Sequence, residues 1–237
     1  MRDYAIVIAG GRIDDDFALR FLYRQLAAGG SSSGKCSEKG DPERPMLIAA
    51  DRGLTFLERH GIVPELVVGD FDSVQDGYVE QYLLSHPEVE VQEYSWEKDW
   101  TDTEIAARSA VERGCKRVDL LGVTGTRIDH MMGSIQLLAM LSEMGVTGRI
   151  LDPYNRITMH RESFRIQKED QWGKYVSFFA WGGDVCNVTL SGFHFPMKDG
   201  RITSSRTLTV SNQIEEESAE VTFSKGMLLM VESKDDE

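Results

Sequence analysis

The chain has 237 residues, a formal net charge of -13 at pH 7 and a mean hydropathy of -0.31. Its length and apolar content suit one large or two small globular domains with buried cores, and its acidic balance excludes a protein that coats nucleic acid through clustered Lys and Arg. No run of about 18 apolar residues occurs, so no membrane segment is expected, and MRDYAIVIAGG lacks an apolar core followed by a small-residue cleavage site, so the expected location is the cytoplasm.

Tyr4 to Ala9 reads as a buried strand closed by Gly10-Gly11, and Asp14 to Ala28 as a helix with Phe17, Phe21, Leu22 and Leu26 on one stripe. Residues 29–45, GGSSSGKCSEKGDPERP, have no periodicity and are expected to form a flexible surface insertion. Strands follow at Met46 to Ala50, Leu66 to Gly69, Val89 to Tyr94, Arg117 to Val123 and Arg149 to Leu151. Between them, Leu54 to His60, Asp76 to Ser85, Thr101 to Arg113 and Met131 to Met144 read as helices. Thr101 and Glu104 fit a capping box, and Gly114 fits a helix stop. Strands alternating with helices predict an α/β domain over residues 1–152, with a mostly parallel sheet covered by helices.

After Asp152-Pro153 the pattern changes. Segments 163–168, 174–181, 185–191, 201–210 and 219–231 are short, rich in Val, Thr, Phe and Ile, and separated by Gly, Asn and Asp turns. They predict a smaller all-β sandwich domain over residues 160–237. The cysteines, Cys36, Cys115 and Cys186, are odd in number and far apart, which indicates neither a disulfide framework nor a zinc site.

In an open α/β sheet, loops at the carboxyl ends of the strands converge in space. Asp51, Asp70, Asp72, Asp99, Asp102 and Asp129 all fall at or just after such ends. So many carboxylates repel one another unless cations stand between them, and hard oxygen donors suit Mg²⁺, which adds water and substrate phosphates to one or two carboxylates. The expected reactant is therefore a magnesium nucleotide. Each motif also has a plainer reading. Asp in a turn is often an Asx cap, the reading given to Asp76, and a D-x-D alone is weak. Asp99 or Thr101 in KDWTD caps the following helix equally well, and Asp102 suits its dipole; Lys98 adds a cation able to meet a phosphate.

In LLGVTGTRIDH, backbone N–H groups around Thr124 and Gly125 open a helix and can cradle phosphate oxygens. Arg127 offers a two-pronged phosphate contact. Asp129 reads as a ligand or as a group orienting Arg127 or His130, and His130 as a nucleotide contact or a structural partner. His60, His86, His160 and His194 read as structural. G-x-x-x-x-G-K-[ST] is absent, which excludes a Walker-type site.

The blocks AADRGLTFL, GIVPELVVGDFDS, KDWTDTEIA and LLGVTGTRIDH, with the later SRTLTVSN, resemble the thiamine pyrophosphokinase family in kind and order. The resemblance implies an α/β catalytic domain, a C-terminal β-sandwich that binds thiamine, and a homodimer with active sites between subunits. It also implies a Mg²⁺-dependent reaction in which ATP and thiamine give thiamine diphosphate and AMP. By similarity, Asp70, Asp72 and Asp102, helped by Asp51, hold Mg²⁺ and phosphate; with Asp99 they form the catalytic set, Asp99 also meeting thiamine. Lys98, Thr124, Gly125, Arg127, Asp129 and His130 serve ATP, and Ser211 and Asn212 the thiamine pocket. Arg52 and Thr126 stand where the family often has Gly, and GMLLMVES lacks an aromatic residue that some relatives carry.

Two rival readings follow from the same residues. One is a magnesium-dependent phosphatase with Asp70 as covalent nucleophile, although that motif usually follows the first strand of its domain rather than the third. The other is a nucleotide-sensing module without turnover.

Overall fold

The computed structural model describes residues 2–28, 44–71, 77–94 and 99–236. Most of the expected insertion at 29–45, with Cys36, therefore lies outside the described residues, as do Asp72, Asp76 and Lys98. The chain forms two compact units, Met1–Leu137 and Leu138–Glu237.

The first unit is built on β1 (Tyr4–Ile8), β2 (Met46–Ala50), β3 (Leu66–Gly69), β4 (Glu90–Glu93) and β5 (Arg117–Leu121). Neighbours run in the order β4-β3-β2-β1-β5, every pair parallel. Runs such as MLIAA and LVVG suit strands covered on both faces, and every residue of β2 and β3 is buried. The helices α1 (Asp15–Ala28), α2 (Gly53–Arg59), α3 (Tyr78–Ser85), α4 (Asp102–Glu112) and α5 (from Ile128) alternate with these strands.

The ends of α4 show how local chemistry sets the frame. Thr101 caps it, its Oγ1 accepting from the Glu104 N–H at 3.2 Å. The Glu104 carboxylate, however, takes Arg108 Nε at 2.9 Å one turn on, an i,i+4 pair in place of the return arm of a capping box. At the other end Gly114 adopts φ 95°, and the Cys115 N–H reaches back to the Ala110 carbonyl at 3.1 Å, which stops the helix.

The second unit is antiparallel and β-rich: β6 (Thr147–Leu151), β7 (Asn155–His160), β8 (Phe164–Gln167), β9 (Tyr175–Ser191), β10 (Met197–Ile202), β11 (Ser218–Thr222) and β12 (Lys225–Ser233). The strand order is β6-β7-β12-β9-β11-β8, with β10 on β9. The expected segments 174–181 and 185–191 are one strand. Gly182 and Gly183 bend β9 without ending it, because its first half pairs with β12 and its second with β10 and β11. The two halves enclose a core that includes Val176, Phe178, Val188 and Leu190.

Three expectations are corrected here. Segment 219–231 is two strands, β11 and β12. Residues 203–210 are turns, ordered instead by side-chain bonds described below. β7 was missed: its sequence NRITMH is too short and polar to stand out, and its order comes from pairing with β12 and β6.

Candidate active site

β1 is followed by β2 on one side of the sheet, and β5 lies on its other side. The strand order therefore reverses between β1 and β5, the place where loops diverge and leave a crevice at the carboxyl ends. A cleft of about 580 Å³ lies there, lined from the ends of β1, β2 and β5 and the starts of α4 and α5.

Its floor depends on close backbone approach. A β-carbon on Gly11 would lie 2.3 Å from the Gly122 carbonyl oxygen, and Gly122 itself takes φ 75°, so the loops after β1 and β5 touch only because both positions are glycine. The Gly11 N–H donates to the Gly122 carbonyl at 3.0 Å and fixes the contact.

Asp51 follows β2 in the left-handed region, φ 50°. Its N–H donates to the Val68 carbonyl at 2.8 Å, and its Oδ2 faces Gly10, 3.2 Å from where a β-carbon would sit. Arg52, by contrast, has φ -59° and ψ -7°, so the residue standing where the family often has glycine needs no special backbone. Asp70 follows β3 directly after Gly69, which lies beside Asp51: a β-carbon on Gly69 would be 3.4 Å from Asp51 Cα. Phe71 then takes φ 57°, costly for an aromatic residue, and its Cε1 lies 3.0 Å from where a β-carbon on Gly69 would be. Backbone strain of the kind found at Phe71 clusters at functional sites.

Asp102 occupies the first turn of α4 and lines the cleft together with Thr101 and Thr103. Across from it, Gly125, Thr126, Arg127, Asp129 and His130 line the cleft from the loop after β5 and the start of α5. Arg127 holds Asp129 in a two-pronged ion pair on the exposed rim. The guanidinium keeps the Asp129 carboxyl charged, lowering its pKa from 3.8 to about 2.

Of the expected residues, the structure thus gathers Asp51, Asp102, Gly125, Arg127, Asp129 and His130 around one cleft. Asp70 sits at the neighbouring strand end, while Asp99, exposed, and Thr124 are outside its lining. Asp72 and Lys98 are outside the described residues. Arg12, Arg52, Thr101 and Thr103 also line it without having been singled out as ligands; the only local hint was Gly-Gly directly after the first strand. The other histidines have structural partners: His60 meets Asp15, His86 packs on Tyr82, His160 stacks on Phe164, and His194 pairs with Glu215.

The donors suit a hard cation. Asp51, Asp70 and Asp102 offer only carboxylate oxygen. Among the described residues no three His, Cys, Asp or Glu side chains form a closed metal cluster; Mg²⁺ does not need one, because water and phosphate complete its shell.

Ser211 and Asn212 belong to the second unit. Ser211 is exposed with φ 58°, and its N–H donates to Ser177 Oγ at 2.9 Å. Asn212 is 2% exposed. Its amide oxygen accepts from the Phe195 N–H at 2.9 Å, and its amide nitrogen donates to the Phe195 carbonyl at 2.8 Å. Asn212 thereby ties the 203–212 turns to the loop before β10. It also lines a small apolar cavity of about 200 Å³ with Leu190, Phe195, Met197 and Leu208.

Comparison with known proteins gives a consistent result. A model of the thiamin pyrophosphokinase catalytic domain matches residues 42–147, and one of the thiamin pyrophosphokinase vitamin B1 binding domain matches residues 162–228. Thiamine pyrophosphokinase of Bacillus subtilis (strain 168) is 33% identical over 193 residues, 81% of this chain and 89% of that protein. The crystal structure of thiamine pyrophosphokinase from Bacillus subtilis superposes with a TM-score of 0.80 at 29% identity, covering 98% of this chain and 100% of that one. That of thiamin pyrophosphokinase from Geobacillus thermodenitrificans gives 0.78 at 30% identity, covering 98% of each.

Proposed function

The chain belongs to the thiamin pyrophosphokinase family and is an enzyme of that kind, and from this premise we propose how its own residues carry the reaction. The pyrophosphoryl group of ATP passes to the hydroxyl of thiamine, giving thiamine diphosphate and AMP, with Mg²⁺ as cofactor. The observation that carries this reading is the cleft at the strand-order reversal, which Asp51, Asp102, Arg127 and Asp129 line together.

Asp51, Asp70, Asp72 and Asp102 would hold Mg²⁺, which when bound supplies charge neutralisation at the phosphate oxygens. The starts of α4 and α5 add partial positive charge at the same wall. The thiamine hydroxyl oxygen bonds to the β-phosphorus, and the bond from that phosphorus to the α-phosphate's bridging oxygen breaks, leaving AMP with the electron pair. Asp99 or Asp102 receives the hydroxyl proton, and Asp102 is the better placed because it lines the cleft. Lys98 and Arg127 offset charge on the moving and leaving groups; such transfers depend on in-line placement and charge stabilisation. Thr124, Gly125, Asp129 and His130 position the nucleotide.

Ser211 and Asn212 would shape the thiamine pocket, and the working form would be a cytoplasmic homodimer with active sites between subunits. Support for association is the apolar surface of the second unit, where Phe195 is 61% and Leu208 72% exposed. No helix among the described residues is long and apolar enough to cross a membrane.

Incubation with MgATP and thiamine, followed by mass detection of products, tests the reading. Equal amounts of AMP and thiamine diphosphate are expected. Orthophosphate and ADP in their place, or a phosphorylated protein, would replace it with the phosphatase reading.

A further inference from the structure

We propose that Arg12 and Arg52 are phosphate-binding residues of the nucleotide site, forming with Arg127 an arc of guanidinium groups over the ends of β1, β2 and β5. The inference rests on the nucleotide reading of the cleft and assigns its main cationic contacts.

Three observations meet here. Both side chains belong to the lining of the cleft. Their backbones are linked through the first loop: a β-carbon on Gly10 would lie 3.1 Å from Arg52 Cβ, and one on Gly125 would lie 3.0 Å from the Arg12 nitrogen. Arg52, Gly10, Gly11, Arg12 and Gly125 thus form a chain of touching segments across three adjacent strand ends, which neighbouring parallel strands hold roughly 4.8 Å apart. Finally, the two arginines differ from Arg127 in what they already hold. Arg127 is committed to Asp129 through two hydrogen bonds, as Arg59 is to Asp15 and Arg108 to Glu104. Arg12 and Arg52 form no ion pair or side-chain hydrogen bond with any described residue.

This difference matters in an acidic cleft. A polyphosphate entering between Asp51, Asp102 and Asp129 meets repulsion from every carboxylate that no cation offsets. Arg127 meets a phosphate at the cost of its bonds to Asp129. Arg12 and Arg52 bring full charge and a planar five-donor fork without that exchange, the geometry that matches phosphate oxygens.

The test is isothermal titration of MgATP, without thiamine, into the wild-type chain, Arg12→Gln, Arg52→Gln and the two Arg→Lys versions, with thiamine titrated separately. Each Gln variant is expected to weaken MgATP binding by about tenfold or more, the scale of losing a hydrogen bond to a charged group. Thiamine affinity stays within about twofold, and Lys restores part of the loss by keeping charge without the fork. Wild-type MgATP affinity in both Gln variants overturns the assignment and leaves the nucleotide reading intact. Equal loss of MgATP and thiamine affinity in the Gln and Lys versions alike also overturns it, as the mark of a structural role. A wild-type chain that binds no MgATP defeats the nucleotide reading itself, and the assignment with it.

Discussion

Arg127 and Asp129 grip each other across one intervening residue, Nε to Oδ1 at 3.1 Å and Nη2 to Oδ2 at 2.5 Å, at the open rim of the cleft. They stand two residues apart at the entry to α5, and both side chains are exposed. The pair holds the guanidinium at the rim of the cleft, where the proposed nucleotide would enter. Its electrostatic signature is the Asp129 carboxyl at about 2, lowered first by the Arg127 hydrogen bond. A folded pKa below the unfolded value of 3.8 means the interaction is fully present above that value and is lost as pH falls toward 2. An NMR titration of the Asp129 side chain should give a midpoint near 2. In Arg127→Gln it should return toward 3.8; an unmoved midpoint would assign the shift to another cause.

The helix-end role of Asp102 and the role proposed for it in the reaction differ greatly in size. As a carboxylate in the first turn of α4 it favours the helix dipole by about 0.3–1 kcal/mol. In the proposed reaction it would also stabilise charge at the phosphates, a role whose loss typically costs about 100-fold or more in rate. Asp102→Asn should therefore lower kcat at least about 100-fold while moving the melting temperature by no more than about 2–4 °C. A variant that melts much earlier but turns over normally would reverse that ranking.

His160 stacks on Phe164 with ring centroids 3.8 Å apart and shares a 2.8 Å hydrogen bond with Thr158. Burial, with Arg156 nearby as a second cause, lowers its pKa from 6.5 to about 4. The folded chain keeps this ring neutral where the unfolded chain protonates it, so stability is full above 6.5 and declines as pH falls toward 4. With the ring partly exposed, the loss should be about 1–3 kcal/mol. Urea unfolding at neutral and mildly acidic pH should show it in the wild type and show it much reduced in His160→Phe. The same pH dependence in both would place its origin elsewhere.

Glu232 is fully buried on β12 and faces Arg156 on β7 through two hydrogen bonds, one of 2.7 Å from Nη2 to Oε1. The Trp172 N–H adds a third to the same carboxylate at 3.1 Å. Removing one partner strands a buried charge, so Arg156→Ala should cost about 3–5 kcal/mol. Arg156→Met combined with Glu232→Leu should cost much less than the two single changes summed, because the charge and its counter-charge leave together. Additive losses in guanidinium unfolding would remove the case for coupling.

The first unit was largely legible because its signals are local. Continuous apolar runs mark strands buried on both faces, and β2 and β3 begin and end where their composition changes. Thr101 and Gly114 bracket α4 by cap chemistry that works within one turn. The second unit was less legible because its order is held by partners far along the chain. Gly182-Gly183 reads as a turn, yet β9 continues through it, secured by three other strands, and residues 203–210 look like a strand but are pinned by Asn212 and Thr209.

For the site, the sequence by itself determined which chemical groups stand at strand ends: the acids at Asp51, Asp70, Asp102 and Asp129, and the arginine at Arg127. Only the tertiary structure decided which of them share a cleft, because that depends on β1 lying between β2 and β5. The hydrogen bonds that fix this order join Ala5 to the region of Met46 and of Val118. Beyond the Gly10-Gly11 pair, Arg12 and Arg52 therefore carry no local mark of their place in the cleft: their neighbours there are set by long-range pairing, which no window of adjacent residues encodes.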